Sequence, residues 1–424
     1  MGFFENQVSI SSPITGIKTY IIPTMAKDVV TFSGSFRGGS IHCSNNNSKI
    51  STLTSSMIDK GTTTRNKFEI SEILDAVGAE IKFGSTQHHT FFTCHCLRDN
   101  IAMVIDILSD ELKNPLFDEV ELKKLKKRMI GQIEQSREDT KKQAHILFSR
   151  KLYPENHLNY RLNTDETIEY INSIKKDDLE KFHSKAYGLG TINIAAAGDI
   201  DEQLFNDQIN KAFSNYNTQN LENVENKLKA NPSYKLDETI IINDKTSADI
   251  YIGQPIGIDR EHNDYYALMM GIYILGGNFS ARLMQTVRDE QGLTYGIGSS
   301  IAGVKFGLDG YWSTWGTFAP DLIENGKAAT MDQINNWYKN GIRPDELDSK
   351  KSTITGTFKV GMDTTGGLVS QILSNAERNK DIKYLDKYVN RIKDLTVEQV
   401  NSAIIKYIDP DKLTVVSAGS FNNK

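Results

Sequence analysis

Few residues in this 424-residue chain are of a type and spacing that could do chemistry, and the densest group is His88, His89, Cys94, His95 and Cys96 in HHTFFTCHC. Zinc chemistry needs several such donors converging on one point, four of them in a structural site. The stretch reads as a β-strand, so His88, Cys94 and Cys96 share one face while His89 and His95 share the other. Three donors strung along one face make a poor zinc site, and thiols packing among aromatics is the simpler reading. The signatures H-E-x-x-H, H-x-x-E-H, G-x-S-x-G, C-x-x-C and G-x-x-x-x-G-K-[ST] do not occur. Gly276-Gly277-Asn278-Phe279-Ser280 could offer backbone N–H groups to a phosphate at a helix start, but no Walker lysine or G-x-G-x-x-G spacing accompanies it. A helix end followed by the cap of the next helix accounts for it. The charged run from Glu119 to Arg128 reads as a solvated helix face with charge pairs.

The elements that would position such residues are written twice. Residues 183–200 (HSKAYGLGTINIAAAGDI) and 404–421 (IIKYIDPDKLTVVSAGSF) align with a shift of 221, which places Ile192, Ile194, Ala197 and Gly198 over Leu413, Val415, Ala418 and Gly419. The same shift sets Ile171, Ile174 and Leu179 over Ile392, Leu395 and Val400, the apolar spacing of an amphipathic helix feeding a strand. The strand ending at Gly34 is answered by the strand ending at Gly253. Residues 216–235, polar and without a periodic apolar face, read as a linker between a first repeat, 1–215, and a second, 236–424. Strands are expected in AEIKFGST, HHTFFTCHC and TYGIGSSI, and helices over 100–113, 118–150, 262–275, 320–339 and 344–360. The predicted class is α+β: two duplicated domains, each a mostly antiparallel sheet with helices packed on one face.

Composition narrows the function classes. With 38% hydrophobic residues and a net charge of −5, the chain is neither disordered nor a global attractor for nucleic acid or anionic lipid. Its longest apolar run, Tyr265 to Leu275, falls short of the ~20 residues that cross a bilayer. Three cysteines, Cys43, Cys94 and Cys96, are too few and too odd for a disulfide framework. The opening MGFFENQVSISS lacks the basic and apolar regions of a secretory signal, and Asn6 spoils a myristoylation motif. A cytoplasmic protein is expected, or a periplasmic one if a signal peptide has been removed.

Two stretches carry a family resemblance: GSFRGGS at 34–40 leading to an apolar helix that ends in MIDKGT, and GGNFSARLMQTVRDEQGLTYGI at 276–297. With the repeat, the chain resembles the pitrilysin/insulinase-type zinc peptidases, in particular short bacterial proteins similar to mitochondrial processing peptidase subunits. Catalytic members of that family carry H-x-x-E-H on the helix before the GT. Here those positions fall on Thr52, Ser55 and Ser56. Hydroxyl side chains replace neither the imidazole ligands nor the general base. The family's further glutamate ligand would fall near Gln132 or Glu134, and one carboxylate without the histidines is not a zinc site. This chain is therefore expected to bind no zinc and not to hydrolyse peptides alone.

The resemblance also implies what is kept. In the family an arginine and a tyrosine seven residues apart, with a glycine between, reach a partner's zinc centre and bind substrate and transition state. Here the match is Arg288 and Tyr295, with Gly292 between them. Attack on a peptide carbonyl builds negative charge on oxygen, and donors held at that point stabilise it. Arg is always charged and Tyr is a neutral donor near pH 7. The residues alone leave another reading open, in which Arg288 pairs with Asp289 or Glu290 and Tyr295 fills a core with its hydroxyl outward.

Two functions of different class follow. In one, the chain pairs with a homologous zinc-bearing peptidase subunit and completes its active site with Arg288 and Tyr295, the substrate being a peptide that adds as a strand, with Val29–Ser40 the candidate edge. In the other, the fold survives as an inactive scaffold or binding subunit. A free-standing metalloenzyme built on HHTFFTCHC is the weakest reading.

Overall fold

The computed structural model describes residues 2–44, 47–219, 221, 224 and 228–421. Of the linker read over 216–235, residues 220, 222–223 and 225–227 lie outside the described residues. The first part of the chain runs α1 (Phe3–Gln7), β1 (Ser9–Ile14), β2 (Ile17–Pro23), β3 (Val29–Arg37), α2 (Lys49–Met57), α3 (Lys67–Ala76), β4 (Glu80–Ser85), β5 (His89–Leu97) and α4 (Ile101–Lys113). Next come α5 (Glu119–Gln135), α6 (Thr140–Leu152), α7 (Thr164–Ser173), α8 (Lys176–Ala186), β6 (Ile192–Gly198) and α9 (Glu202–Phe213). Then follow β7 (Leu236–Ile241), β8 (Ala248–Pro255), α10 (Tyr265–Gly276), β9 (Thr294–Ala302) and β10 (Tyr311–Phe318). The chain closes with α11 (Ile323–Asn340), α12 (Pro344–Gly361), α13 (Thr365–Glu377), α14 (Lys383–Lys393), α15 (Val397–Tyr407) and β11 (Thr414–Gly419).

The architecture is α+β. One sheet has the order β1-β2-β6-β3-β5-β4 and the other β7-β11-β8-β10-β9. Each is antiparallel except for one parallel pair, β2 with β6 and β7 with β11. The repeat read from the sequence is thus a repeat of strand order. Its aligned glycines do the same job in both sheets: Gly198 and Gly419 end the equivalent strands at positive φ, 139° and 153°. A Cβ on Gly198 would lie 2.2 Å from the Val29 carbonyl, and one on Gly419 2.5 Å from Ala248 Cβ, so the neighbouring strand starts only where glycine lets it approach.

Two corrections to the sequence reading concern local structure. The expected helix 118–150 is two helices, because Asp139 caps a new one, its carboxylate accepting from the Lys142 N–H at 2.9 Å. The stretch Val29–Ser40 is not an edge: β3 pairs with β5 on one side and β6 on the other. Gly34 there makes room for Phe92, whose ring a Cβ would meet at 2.2 Å. The edges of that sheet are β1 and β4.

The chain divides into two compact units that interleave in sequence: Met1–Ile130, Ile168–Glu225 and Gly356–Val389 form one; Gly131–Thr167, Asn226–Thr355 and Asn390–Lys424 form the other. The physical reason lies in the inner strands. In the first unit β6 is buried along both faces. Phe32, on the β3 face that pairs with Ala196, stacks edge-on against Phe205 of α9. Ala195 and Ala197, on the opposite face, pack with Tyr20 and Ile22 against Leu368, Val369 and Ile372 of α13. Each large aliphatic side chain removed from water there contributes about 1.5–3 kcal/mol.

The second unit repeats the solution. There β11 is buried along its length, and Val416 and Ala418 pack with Tyr251 and Tyr311 against Ala144, Phe148 and Leu152 of α6. The start of α6 is fixed by the buried Asp249 carboxylate, which accepts from the hydroxyls of Thr140 and Thr317, each at 2.5 Å. Beyond α6, His157 takes the Asn159 N–H on Nδ1 and so donates from Nε2 to Asp309 at 3.0 Å, while Asp309 also accepts the Ala230 N–H at 2.8 Å. Each sheet thus carries on one face a helix distant in sequence, α6 for the second sheet and α13 for the first, where Phe4 of α1 and Leu385 of α14 join the same cluster.

Because residues 131–167 belong to one unit and 356–389 to the other, a nick within 216–235 is expected to leave two fragments that co-elute in gel filtration under native conditions. Elution as two separately folded fragments would show that the contiguous halves are self-sufficient.

Candidate functional site

The helix that carries Thr52, Ser55 and Ser56 is a packing helix. Ile50, Leu53 and Met57 form the buried face of α2, which lies against α8 and β4. Ser55 is 1% exposed and donates to the Thr52 carbonyl at 3.0 Å; Thr54 donates to the Ile50 carbonyl at 2.8 Å and Ser51 to the Ser48 carbonyl at 3.2 Å. These hydroxyls bond the turn before them, a local pattern open to Ser and Thr in any helix. None is charged, and none is set to polarise water. Gln132 and Glu134 are exposed on α5, with Glu134 paired to Arg137. Among the described residues no three His, Cys, Asp or Glu side chains gather as a metal-binding group.

The HHTFFTCHC stretch alternates as a half-buried strand should. Thr90, Phe92, Cys94 and Cys96 face the core. Burial pushes the Cys94 thiol well above its ordinary value and the Cys96 thiol up to about 11, so both stay protonated and weakly nucleophilic. His95 points the other way and shares a 3.0 Å hydrogen bond with Thr31, whose hydroxyl also meets Thr365 of α13 at 2.8 Å.

Beside this strand, α4 buries Glu111, 1% exposed, and neither of its carboxylate oxygens has a hydrogen-bond partner among the described residues. Burial, reinforced by the nearby Asp59 and Asp110 and only partly offset by Lys60 and Arg65, raises this carboxyl to about 9. It is a neutral acid at pH 7, and no sequence motif pointed to it.

Arg288, Gly292 and Tyr295 are brought to one end of the second unit's sheet, at its edge strand β9. The preceding Gly276–Ser280 segment is a turn held from below by α12. Lys350, 4% exposed, donates from Nζ to Asn278 Oδ1 at 3.0 Å, to the Ser280 carbonyl at 2.8 Å and to Ser280 Oγ at 2.6 Å. One turn earlier on α12, Glu346 accepts from Nε and Nη2 of Arg282, each at 2.7 Å. The chain then winds through a wide turn, Met284–Glu290, in which Gln291 N–H bonds the Thr286 carbonyl and Leu293 N–H the Val287 carbonyl. Such widened helical turns recur at functional sites. Gly292, at φ 65°, ends it.

Arg288 is partly exposed, 3.8 Å from Asp289 and with its guanidinium 5.8 Å from the centre of the Phe279 ring. An exposed ion pair of that length holds little. Tyr295 is 71% exposed, so its ring does not fill a core. Simple alternation would have buried it: Ile297 and Ser299, two and four residues on, face the core from β9. The register explains the reversal. Thr317 of β10 faces Gly296 and Phe318 faces Thr294, so Tyr295 is an extra residue in a β-bulge, and inside and outside exchange at it.

Two family descriptions match the chain: "Insulinase (Peptidase family M16)" over residues 22–166 and "Peptidase M16 inactive domain" over residues 173–354. Among curated relatives, the "Uncharacterized zinc protease YmxG" of Bacillus subtilis is 25% identical over 350 residues, spanning 81% of this chain and 82% of that protein. The "Non-peptidase homolog YmxG" of Helicobacter pylori is 23% identical over 384 residues, spanning 89% and 86%. Among solved structures, a peptidase M16 inactive domain from Pseudomonas fluorescens superposes with a TM-score of 0.87 at 24% identity, covering 98% of both chains. A protease from Helicobacter pylori gives 0.84 at 16% identity, covering 97% of this chain and 99% of its own. At such identities the structural likeness speaks for the fold.

The buried Glu111 yields a stability prediction. Its folded value, about 9, lies above the ordinary 4.5, so the native state keeps a proton that the unfolded chain releases. Stability from this group is full below about pH 4.5 and falls as pH rises toward 9, by about 2–3 kcal/mol between pH 5 and 7. Denaturant titrations of Glu111→Gln are expected to lack that slope; an unchanged slope would show that the carboxyl ionises freely in the folded chain.

Proposed function

The chain belongs to peptidase family M16, the insulinase family, and we propose that it is the subunit without zinc in a two-chain zinc metallopeptidase, supplying Arg288 and Tyr295 to its partner's active site. The observation that carries this reading is the contrast between two places in one molecule. The motif helix has hydroxyls at all three motif positions, Ser55 buried and bonded to its own turn and Thr52 and Ser56 half-buried, whereas Tyr295 is turned outward by a bulge on the strand that follows the turn carrying a partly exposed Arg288. Residues of this chain do not fit zinc, so the metal and its activated water belong to a homologous partner that retains H-x-x-E-H. This chain binds and orients the peptide: the guanidinium and the phenol each donate to the carbonyl oxygen as charge builds there, and neither gives up its proton. The substrate is a peptide; neither nucleic acid nor membrane is a partner. Among the described residues no helix is long and apolar enough to cross a membrane. Three free cysteines support a reducing, cytoplasmic setting.

A second reading, an inactive scaffold, draws on the Helicobacter pylori relative described as a non-peptidase homolog. A scaffold has no use for an exposed phenol on a sheet edge and a charged donor on the turn before it, which is why the enzyme-subunit reading is preferred.

The test begins with co-purification from the native host and mass spectrometry, which is expected to bring along a homologue with H-x-x-E-H. Elemental analysis of the chain alone is expected to find no stoichiometric zinc; about one tightly held zinc, lost on Cys94→Ala or His88→Ala, would instead promote the strand cluster. In the assembled pair, Tyr295→Phe and Arg288→Ala are each expected to lower kcat by ~10²–10³ with zinc content and assembly intact. Arg288→Ala is expected to raise KM as well, since a guanidinium also orients the bound peptide. Ser55→Ala serves as the control and is expected to leave turnover unchanged. Full activity of Tyr295→Phe in an intact pair would put the scaffold reading first.

A further inference from the structure

The bulge at Tyr295 is built by a residue that no motif singles out. We propose that Thr294 is the positioning residue of Tyr295: its buried hydroxyl stitches the bulge that carries the phenol from the core side of β9 to the solvent side. The inference rests on the reading of Tyr295 as a substrate-binding donor, but its geometry stands apart from that reading.

The argument is one of parity. Along β10, Trp312, Thr314 and Phe318 face the core and are fully buried. Trp312 and Thr314 stand opposite Ile301 and Ser299 of β9, and Gly316 opposite Ile297. Continued without interruption, the ladder would set Tyr295 opposite Phe318, inside. Phe318 already fills the space left by Gly326, whose Cβ would lie 2.1 Å from its ring, and by Gly316, whose Cβ would lie 2.7 Å away. A tyrosine beside it would overpack that corner. Thr294 takes the inner place instead.

The hydroxyl of Thr294 then satisfies what the bulge disrupts. It accepts the Gly296 N–H at 3.2 Å and stands 2.6 Å from the Thr317 carbonyl and 3.0 Å from the Gly296 carbonyl. Its single proton serves the nearer carbonyl, that of Thr317. A bulge breaks regular pairing, and a backbone amide left without an acceptor in a buried place is costly. Valine has the same shape and fills the same volume, yet it can neither accept from Gly296 nor donate to Thr317. Serine can do both.

The 424-residue chain can be tested without its partner. Tetranitromethane nitrates accessible tyrosines, and peptide mass spectrometry resolves Tyr295 from the exposed reference Tyr234. Thr294→Val is expected to lower Tyr295 nitration relative to Tyr234 by about fivefold and to speed amide hydrogen exchange at Gly296 by a similar factor. Thr294→Ser is expected to restore both. Unchanged nitration and exchange in a folded Thr294→Val chain would overturn the proposal; should that variant fail to fold, Thr294→Ala carries the same comparison. In the purified peptidase pair, Thr294→Val is expected to reduce kcat, Thr294→Ser to restore it, and the double variant with Tyr295→Phe to be no slower than Tyr295→Phe alone. Additive losses would overturn the positioning role. A Tyr295→Phe pair that keeps full turnover defeats the donor role instead, and nitration and exchange then decide the positioning claim alone.

Discussion

Burial on both faces of the inner strands is the constraint from which the rest of the molecule follows. INIAAAG and TVVSAG offer no polar side to water, so a sheet built on them needs cover above and below. Helices close in sequence supply one cover. The other comes from far along the chain, α13 for the first sheet and α6 for the second. Small residues at Ala195, Ala197 and Ala418 let these helices lie close. An edge strand such as β9 lies away from that central cover, and it is the strand that carries Tyr295.

The two candidate sites illustrate how differently packing and chemistry constrain a sequence. On α2 the ligand types are gone, but the helix keeps its apolar stripe and its hydroxyls bond its own carbonyls, so losing the chemistry left the fold intact. Around Arg288 and Tyr295 the reverse holds. A buried lysine, a half-buried Arg282–Glu346 pair, a widened turn and a bulge all maintain a surface from which two polar side chains project. Surfaces kept by that much buried polar structure are costly to maintain for packing alone.

Much of the fold was legible in the sequence because its signals are local or periodic. The repeat, the aligned Gly198 and Gly419, the alternation of Thr90, Phe92, Cys94 and Cys96, and four of the five expected helices depend on spacing within a few residues. What was not legible depends on distant partners. Nothing local says that β3 is central, that α6 packs on the sheet of the second unit and α13 on that of the first, or that Asp139 starts a new helix inside a continuous charged pattern. At the candidate site, Arg288 and Tyr295 were found through a resemblance, while the outward turn of Tyr295 was hidden because strand parity argued for the core. Thr294 was a visible cue only to a reader who already knew that Phe318 held the inner place.

The dependence of the first sheet on α13 sets a timetable for a nascent chain. The last strand of that sheet is complete at residue 198, but its second cover ends at residue 377. At ribosomal speeds of about 5–20 residues per second, the alanine face of β6 waits roughly 9–36 seconds for its helix. During that interval an apolar sheet surface is open to other nascent chains. The N-terminal part therefore depends on slow exposure being tolerated or shielded, and final folding is a late, whole-chain event rather than one domain after another.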